Sequence, residues 1–290
     1  MIYHLTNETC SVAIKEHGAE LSSFRHTANN LEYIWQADPA VWPRHAPVLF
    51  PIVGKLPNGE YQYQGKTYKL PQHGIARDLD FFLEEQTADS LTFVLISSEK
   101  TLTVYPFLFR LEIRYRLAAN ALEVTYTVQN TGEEKMLFSL GAHPAFNCPL
   151  LPGEAFTDYC LEFEKPETLN RYLLKDGLQN GQTEPVLQDQ KILPLQYELF
   201  EKDAIVLKEV ASEKITLKAD KHAHGLEFAF KNYPYFGIWT KERGATFICL
   251  EPWHGIASHV GDSGDLAEKE GILNLPPNSS FSCSYTIRVF

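Results

Sequence analysis

Two short segments place a proton-transferring side chain directly before a proline: His143-Pro144-Ala145-Phe146-Asn147 and Glu251-Pro252-Trp253-His254-Gly255. The proline ring excludes the α region for the residue before it, so His143 and Glu251 should both project from extended backbone in a defined direction. An imidazole and a carboxylate aimed at one substrate form an acid/base couple, one giving a proton while the other takes one. The same spacing also fits two ordinary polar residues at strand ends.

Other residues suit the recognition of a polyhydroxylated ring. Gln72-His73-Gly74-Ile75-Ala76-Arg77 sets an imidazole and a guanidinium on either side of a glycine that permits close backbone approach. Arg44 and Lys55 flank the rigid stretch Pro47-Val48-Leu49-Phe50-Pro51, and Asp203 opens Asp203-Ala204-Ile205-Val206. Tyr235, Trp239 and Trp253 offer aromatic faces for the C–H side of such a ring, or are simply core. Two other patterns carry less. Gly261-Asp262-Ser263-Gly264 looks like a protease nucleophile segment, but Asp265 follows it and no Ala-His-Cys segment accompanies it. His222 and His224 would share a strand face, yet no third metal ligand is in view.

These side chains must be held by strands. From Phe109 to Val128, Leu111, Ile113, Tyr115 and Leu117 alternate with Arg110, Glu112, Arg114 and Arg116, and Val124, Tyr126 and Val128 continue the pattern after Leu122. A period of two predicts half-buried strands joined as a hairpin through Ala118 to Ala121. Similar runs lie at Cys10 to Lys15, Leu31 to Trp35, Leu91 to Ser97, Ala204 to Val210, Lys214 to Lys218, Thr246 to Leu250 and Phe281 to Phe290. Tyr61 to Leu70 reads as a hairpin closed near Gln64-Gly65, and Pro57-Asn58-Gly59 and Asn180-Gly181 read as turns. Helical periodicity is confined to short stretches around Lys100 to Phe107 and Leu266 to Gly271. Many strands with few crossover helices predict an all-β protein, antiparallel sheets packed as a sandwich. The polar stretch from Lys175 to Gln190 is an excursion within one domain spanning residues 1–290.

Composition narrows the partners. The 290 residues are 44% hydrophobic and 12% aromatic, and 26 Lys and Arg against 37 Asp and Glu give a formal charge of -11. That balance argues against nucleic acid or an anionic membrane and leaves a small neutral ligand or a locally held anion. Met1 to Cys10 contains no basic region followed by an apolar one, so a cytoplasmic protein, monomer or homodimer, is expected. Cys10, Cys148, Cys160, Cys249 and Cys283 are scattered and form no CxxC pair, which suggests neither a disulfide framework nor a zinc site.

Pro57-Asn58-Gly59 with Gly65-Lys66-Thr67-Tyr68, then His73-Gly74, then His143-Pro144-Ala145-Phe146-Asn147, then Asp203, then Glu251-Pro252 resembles, in that order, the aldose 1-epimerase (galactose mutarotase) superfamily, and within it the LacX-like branch. The resemblance spans nearly the whole chain. It implies a large antiparallel β-sandwich with a sugar, or a sugar phosphate, in a cleft on one sheet, and neither metal nor other cofactor. It also implies that His143 is the general acid, Glu251 the general base, and that His73 and Asp203 hold hydroxyls, with acid and base on opposite sides of the hemiacetal. Two positions depart from the galactose enzymes: Lys55 stands where they have Arg, and Ala145 where they have Tyr. Lysine does not reproduce a bidentate fork. The cation beside the sugar is then Arg44 as an alternative, whose Arg-x-x-Pro-x-x-Phe-Pro context also resembles hexose-6-phosphate epimerases. Outside that reading stand a glycosidase using Asp203 and Glu251 as its carboxylates, and a carbohydrate-binding or sugar-sensing protein on the same fold.

Overall fold

The computed structural model describes residues 1–290. Its largest sheet has fifteen strands. From one edge the order runs Val48–Leu49, Leu140–Ala142, Phe247–His254, Tyr235–Trp239, Ile205–Lys208, Tyr159–Lys175, Lys214–Ala219, Gly225–Ala229, Ser280–Val289, Ala121–Asn130, Phe109–Ala118, Ser90–Ile96 and Phe82–Gln86. Ala145–Asn147 also pairs with Phe247–His254, and Leu178–Pro194 with Tyr159–Lys175. Neighbours along this order pair antiparallel, and a separate four-stranded antiparallel sheet is built from residues 2–32.

Such a sheet must fold over to bury its apolar face. Phe50, beside the first strand, packs on Phe109 near the far edge at 5.0 Å, and Phe146 meets Phe228 at 5.9 Å from many strands away. The result is an all-β sandwich whose main core gathers 67 buried residues from Leu5 to Val289. No helix is long and apolar enough to cross a membrane.

The alternating hairpin forms as expected, Phe109–Ala118 against Ala121–Asn130. So does Glu60–Tyr63 against Lys66–Lys69, turning on Gln64 and Gly65 at positive φ. Four expectations need correction. The run from Leu31 to Trp35 is a strand only over Leu31–Glu32, because Glu32 turns its carboxylate onto the backbone N–H groups of Phe24 and Ile34 at 2.8 and 3.0 Å. The helix near Lys100 is one turn, Glu99–Leu102, capped by Ser98 and followed by Pro106. The stretch near Leu266 is a single 3-10 turn, Leu266–Glu268. Asn180-Gly181 is not a turn but lies inside the strand Leu178–Pro194. That hairpin turns instead at Asp176 and Gly177, whose φ values of 54° and 78° suit a two-residue primed turn. The polar stretch is thus the tip and return strand of a long hairpin.

Candidate active site

The strand Phe247–His254 is buried on both faces. Ile248 and Leu250 enter the main core, while Phe247, Cys249 and Trp253 belong to smaller apolar clusters on the opposite face. Glu251 alternates with Cys249 and Trp253, so it lies on that outer face. On one flank Ala145 pairs with Cys249 and Gly141 with Trp253. The shared register of these pairs puts His143 directly across from Glu251. Pro144 interrupts the ladder there; its carbonyl accepts the Leu250 N–H at 3.2 Å, and His143 donates its own N–H to Pro47 at 3.1 Å. The outcome is a contact of 3.2 Å between His143 Nε2 and Glu251 Oε2, with Glu251 1% and His143 8% exposed. Imidazole and carboxylate stand side by side, not across a gap.

Two missing side chains make room for the third member of this face. Gly141 and Gly237 are the two cross-strand neighbours at and beside Trp253, and a Cβ on either would meet the indole at 2.7 and 2.5 Å. The ring therefore lies over bare backbone. His73, at φ 66°, is followed by Gly74, where a Cβ would come within 2.2 Å of the Phe50 carbonyl oxygen. His73 Nδ1 accepts the Gly54 N–H at 3.1 Å, which puts the proton of the neutral ring on Nε2, the edge that meets the Gln72 side-chain amide at 3.3 Å.

A cleft of about 310 Å³ opens above the pair, the size class of a small ligand. It brings together seven of the residues named from the sequence, Arg44, His73, Arg77, His143, Asp203, Glu251 and Trp253. Lys55 lies elsewhere. Its ammonium donates to the Asp176 carbonyl at 2.9 Å, tying down the hairpin tip outside the cleft lining. Trp239 lines the cleft, but Tyr235 does not. Asp203 is exposed at φ 74° and accepts the Ala204 N–H at 2.7 Å, leaving its other oxygen free. Arg44 pairs with Asp78 at 2.8 Å, while Arg77 donates to the Gln72 carbonyl at 2.7 Å and sets its buried Nε, which makes no hydrogen bond, 3.7 Å from the Asp78 carboxylate.

Trp42 was not singled out in the sequence, and it stacks on the His143 ring at 5.0 Å and 27°. Trp239 and His73 meet the same ring edge-on, each at 5.7 Å. A usable signal existed: Trp42 precedes Pro43 just as His143 precedes Pro144. Leu174 and Gly177 of the long hairpin also line the cleft.

Burial decides the charge states. It pushes the His143 imidazole down to about 3; contact with its own backbone opposes this, and Arg77 and Arg44 add to it. Burial likewise pushes Glu251 well above the usual carboxylate range, Asp203 adds to it, and the Trp253 N–H opposes. Their contact favours an ion pair, but removing two charges from water outweighs it here. Burial of both groups thus favours the neutral pair, with one proton between two basic sites. His73 is held well below its ordinary value by burial first, then by His143, Arg77 and Arg44. Arg77 is pushed down to about 10, by burial first and then by Arg44, and stays charged at neutral pH.

A buried imidazole–carboxylate couple beneath an aromatic, guanidinium-edged cleft is equipped for proton transfer to a small polar ligand. Residues 1–270 match the family described as aldose 1-epimerase, and the chain belongs to that family. It is 36% identical to chromosomal protein LacX of Lactococcus lactis subsp. lactis, over all of this chain and 99% of that one. The structure of the galactose mutarotase related enzyme from Lactobacillus acidophilus superimposes with a TM-score of 0.96 at 38% identity, covering 100% of this chain and 97% of that one. A galactose mutarotase-like protein from Lactobacillus casei ATCC 334 gives 0.94 at 33% identity, with both chains fully covered.

Proposed function

We propose that this protein interconverts the α and β anomers of an aldose by acid/base opening and reclosure of the ring. The observation that carries the reading is the buried 3.2 Å contact between His143 and Glu251 on the floor of the cleft. The C1 hydroxyl and the ring oxygen of an aldose are bonded to the same carbon, so adjacent groups can reach both. As sugar enters, movement of the shared proton from Glu251 to His143 creates the reactive pair. The carboxylate takes the C1 hydroxyl proton while the imidazolium gives one to the ring oxygen. C1 then turns, the carbonyl is attacked from its other face, and the protons return.

His73 Nε2 and the free oxygen of Asp203 supply a donor and an acceptor to ring hydroxyls, and Trp253, Trp239 and Trp42 supply apolar faces. The partner of Glu251 is an imidazole, not a second carboxylate, which disfavours glycoside hydrolysis. A phosphorylated aldose is favoured as a second reading by one observation: Arg44 and Arg77 both edge the cleft, and Asp78 is the carboxylate paired with both. Polarimetry or exchange NMR on fresh α-glucose and α-galactose tests the proposal. Acceleration that survives exhaustive EDTA dialysis is expected. Unaccelerated mutarotation of all aldoses and their 6-phosphates, with sugar still bound, would leave a sugar-binding protein instead.

A further inference from the structure

We propose that the acid/base pair doubles as a binding site for a thiophilic divalent cation of the Zn²⁺ type, with Cys249 as third ligand, and that the bound ion switches the site off. The inhibitory half rests on the proposed function; the binding half does not. Cys249 and Glu251 are alternate residues of one strand and share its outer face, and His143 stands across from Glu251. The ligating atoms of all three lie within 4.8 Å of one another. The thiol is fully buried, and the neighbour of Glu251 Oε2 within reach is His143 Nε2, itself a metal-ligating atom.

An imidazole nitrogen, a carboxylate oxygen and a thiolate sulfur are the donor types that Zn²⁺ takes, at about 2.0–2.3 Å. Ligand atoms at those bond lengths around a tetrahedral ion stand about 3.3–3.7 Å apart. The His143–Glu251 separation of 3.2 Å is already close to that. The sulfur has to close by no more than about 1 Å, a shift within the reach of one side chain. His143 and Glu251 line the cleft and Cys249 does not, so the ion enters through the cleft and leaves its fourth position facing the sugar space. The charges balance. One dication enters, and the proton shared by the pair and the thiol proton leave, so the buried site gains no net charge. With Nε2 and Oε2 both bound to the ion, neither can move a proton, and sugar and metal compete.

The test uses the full chain, stripped with EDTA and then titrated with ZnCl₂ alone by calorimetry in two buffers of different ionisation enthalpy, and with CoCl₂ by absorption. One ion per chain, release of about two protons and a thiolate-to-cobalt charge-transfer band are expected. Cys249→Ala should lose the band and bind Zn²⁺ at least tenfold more weakly while keeping metal-free anomer turnover. Cys249→Ser, nearly equal in size, guards against a folding defect and should also lose the band. Zinc bound equally well by wild type and both variants, or cobalt bound without the band, overturns the site. Zinc bound as expected with turnover unchanged overturns the inhibition. Because binding is read without sugar, a metal-free protein that fails to turn over any aldose refutes the function and leaves the metal site standing.

Discussion

Gly237→Ala tests whether bare backbone beneath Trp253 sets the geometry of the site. Gly237 is paired with Glu251, and its φ lies outside the left-handed region, so alanine introduces no backbone strain. A Cβ there would stand 2.5 Å from Trp253 Cη2 and Cζ2, whereas ordinary contact begins near 3.4 Å. The indole must retreat by about 1 Å, and the open direction is up into the cleft. Overpacking of this kind costs about 1–3 kcal/mol. A displacement of about 1 Å at a reacting centre can cost about 10² in rate. The expected result is a kcat/KM roughly 10²-fold lower by polarimetry, together with a Tm lowered by a few degrees. Trp253→Phe in the same chain, by removing the benzo ring that collides, should restore much of the stability. A Gly237→Ala protein with wild-type Tm and kcat/KM would show that the indole is not pinned there, and the account of the site floor would fail.

Glu251→Gln and His143→Asn should each lower turnover by about 10² to 10⁴. Burial already holds both groups neutral, so Tm should move little, and the double variant should lose far less than the product of the single losses; near wild-type turnover in Glu251→Gln would end its assignment as base. In metal-free protein, activity requires the pair to hold one proton. Acid adds a second, and because His143 is pushed down to about 3, kcat/KM should stay flat through pH 6.5 and fall only well below it. Alkali removes the single proton, and with Glu251 pushed up that limb lies well above the usual carboxylate range; an acid limb at about 6.5, the ordinary histidine value, would contradict the shared proton. If the arginines hold a phosphate, kcat/KM for glucose 6-phosphate should exceed that for glucose at low salt, shrink with added salt, and lose its advantage in Arg44→Gln; equal values at low salt leave neutral aldoses as substrates.

The strand hairpins were legible wherever one face of a strand meets water. Leu111 to Leu117 alternate because that segment is half buried. The strand that carries Glu251 was only partly legible, as Thr246 to Leu250, since both of its faces are covered and Phe-Ile-Cys-Leu shows no alternation to read. The hairpin tip was misplaced because Asn180-Gly181 and Asp176-Gly177 are both turn dipeptides, and which one turns is settled by pairing with the preceding strand. His143 and Glu251 were found because a following proline marks extended backbone. Their shared register was not legible, because it depends on Gly141 and Ala145 pairing with a strand about a hundred residues away. Lys55 looked like a cleft cation beside Pro47 to Pro51. It was drawn off by the Asp176 carbonyl, a contact that no local pattern announces.

The strand Phe247–His254 is a partition between two compartments. Ile248 and Leu250, of one parity, help hold the sandwich together, and Glu251 and Trp253, of the other, face the cleft. Variation at Ile248 and Leu250 should therefore register in folding yield, while variation at Glu251 and Trp253 should register in reactivity with the protein still abundant. A lineage changing its sugar could redraw the outer face without renegotiating the inner one. Such independence lets one scaffold serve many substrates, and here it comes from the two-residue repeat of an extended chain.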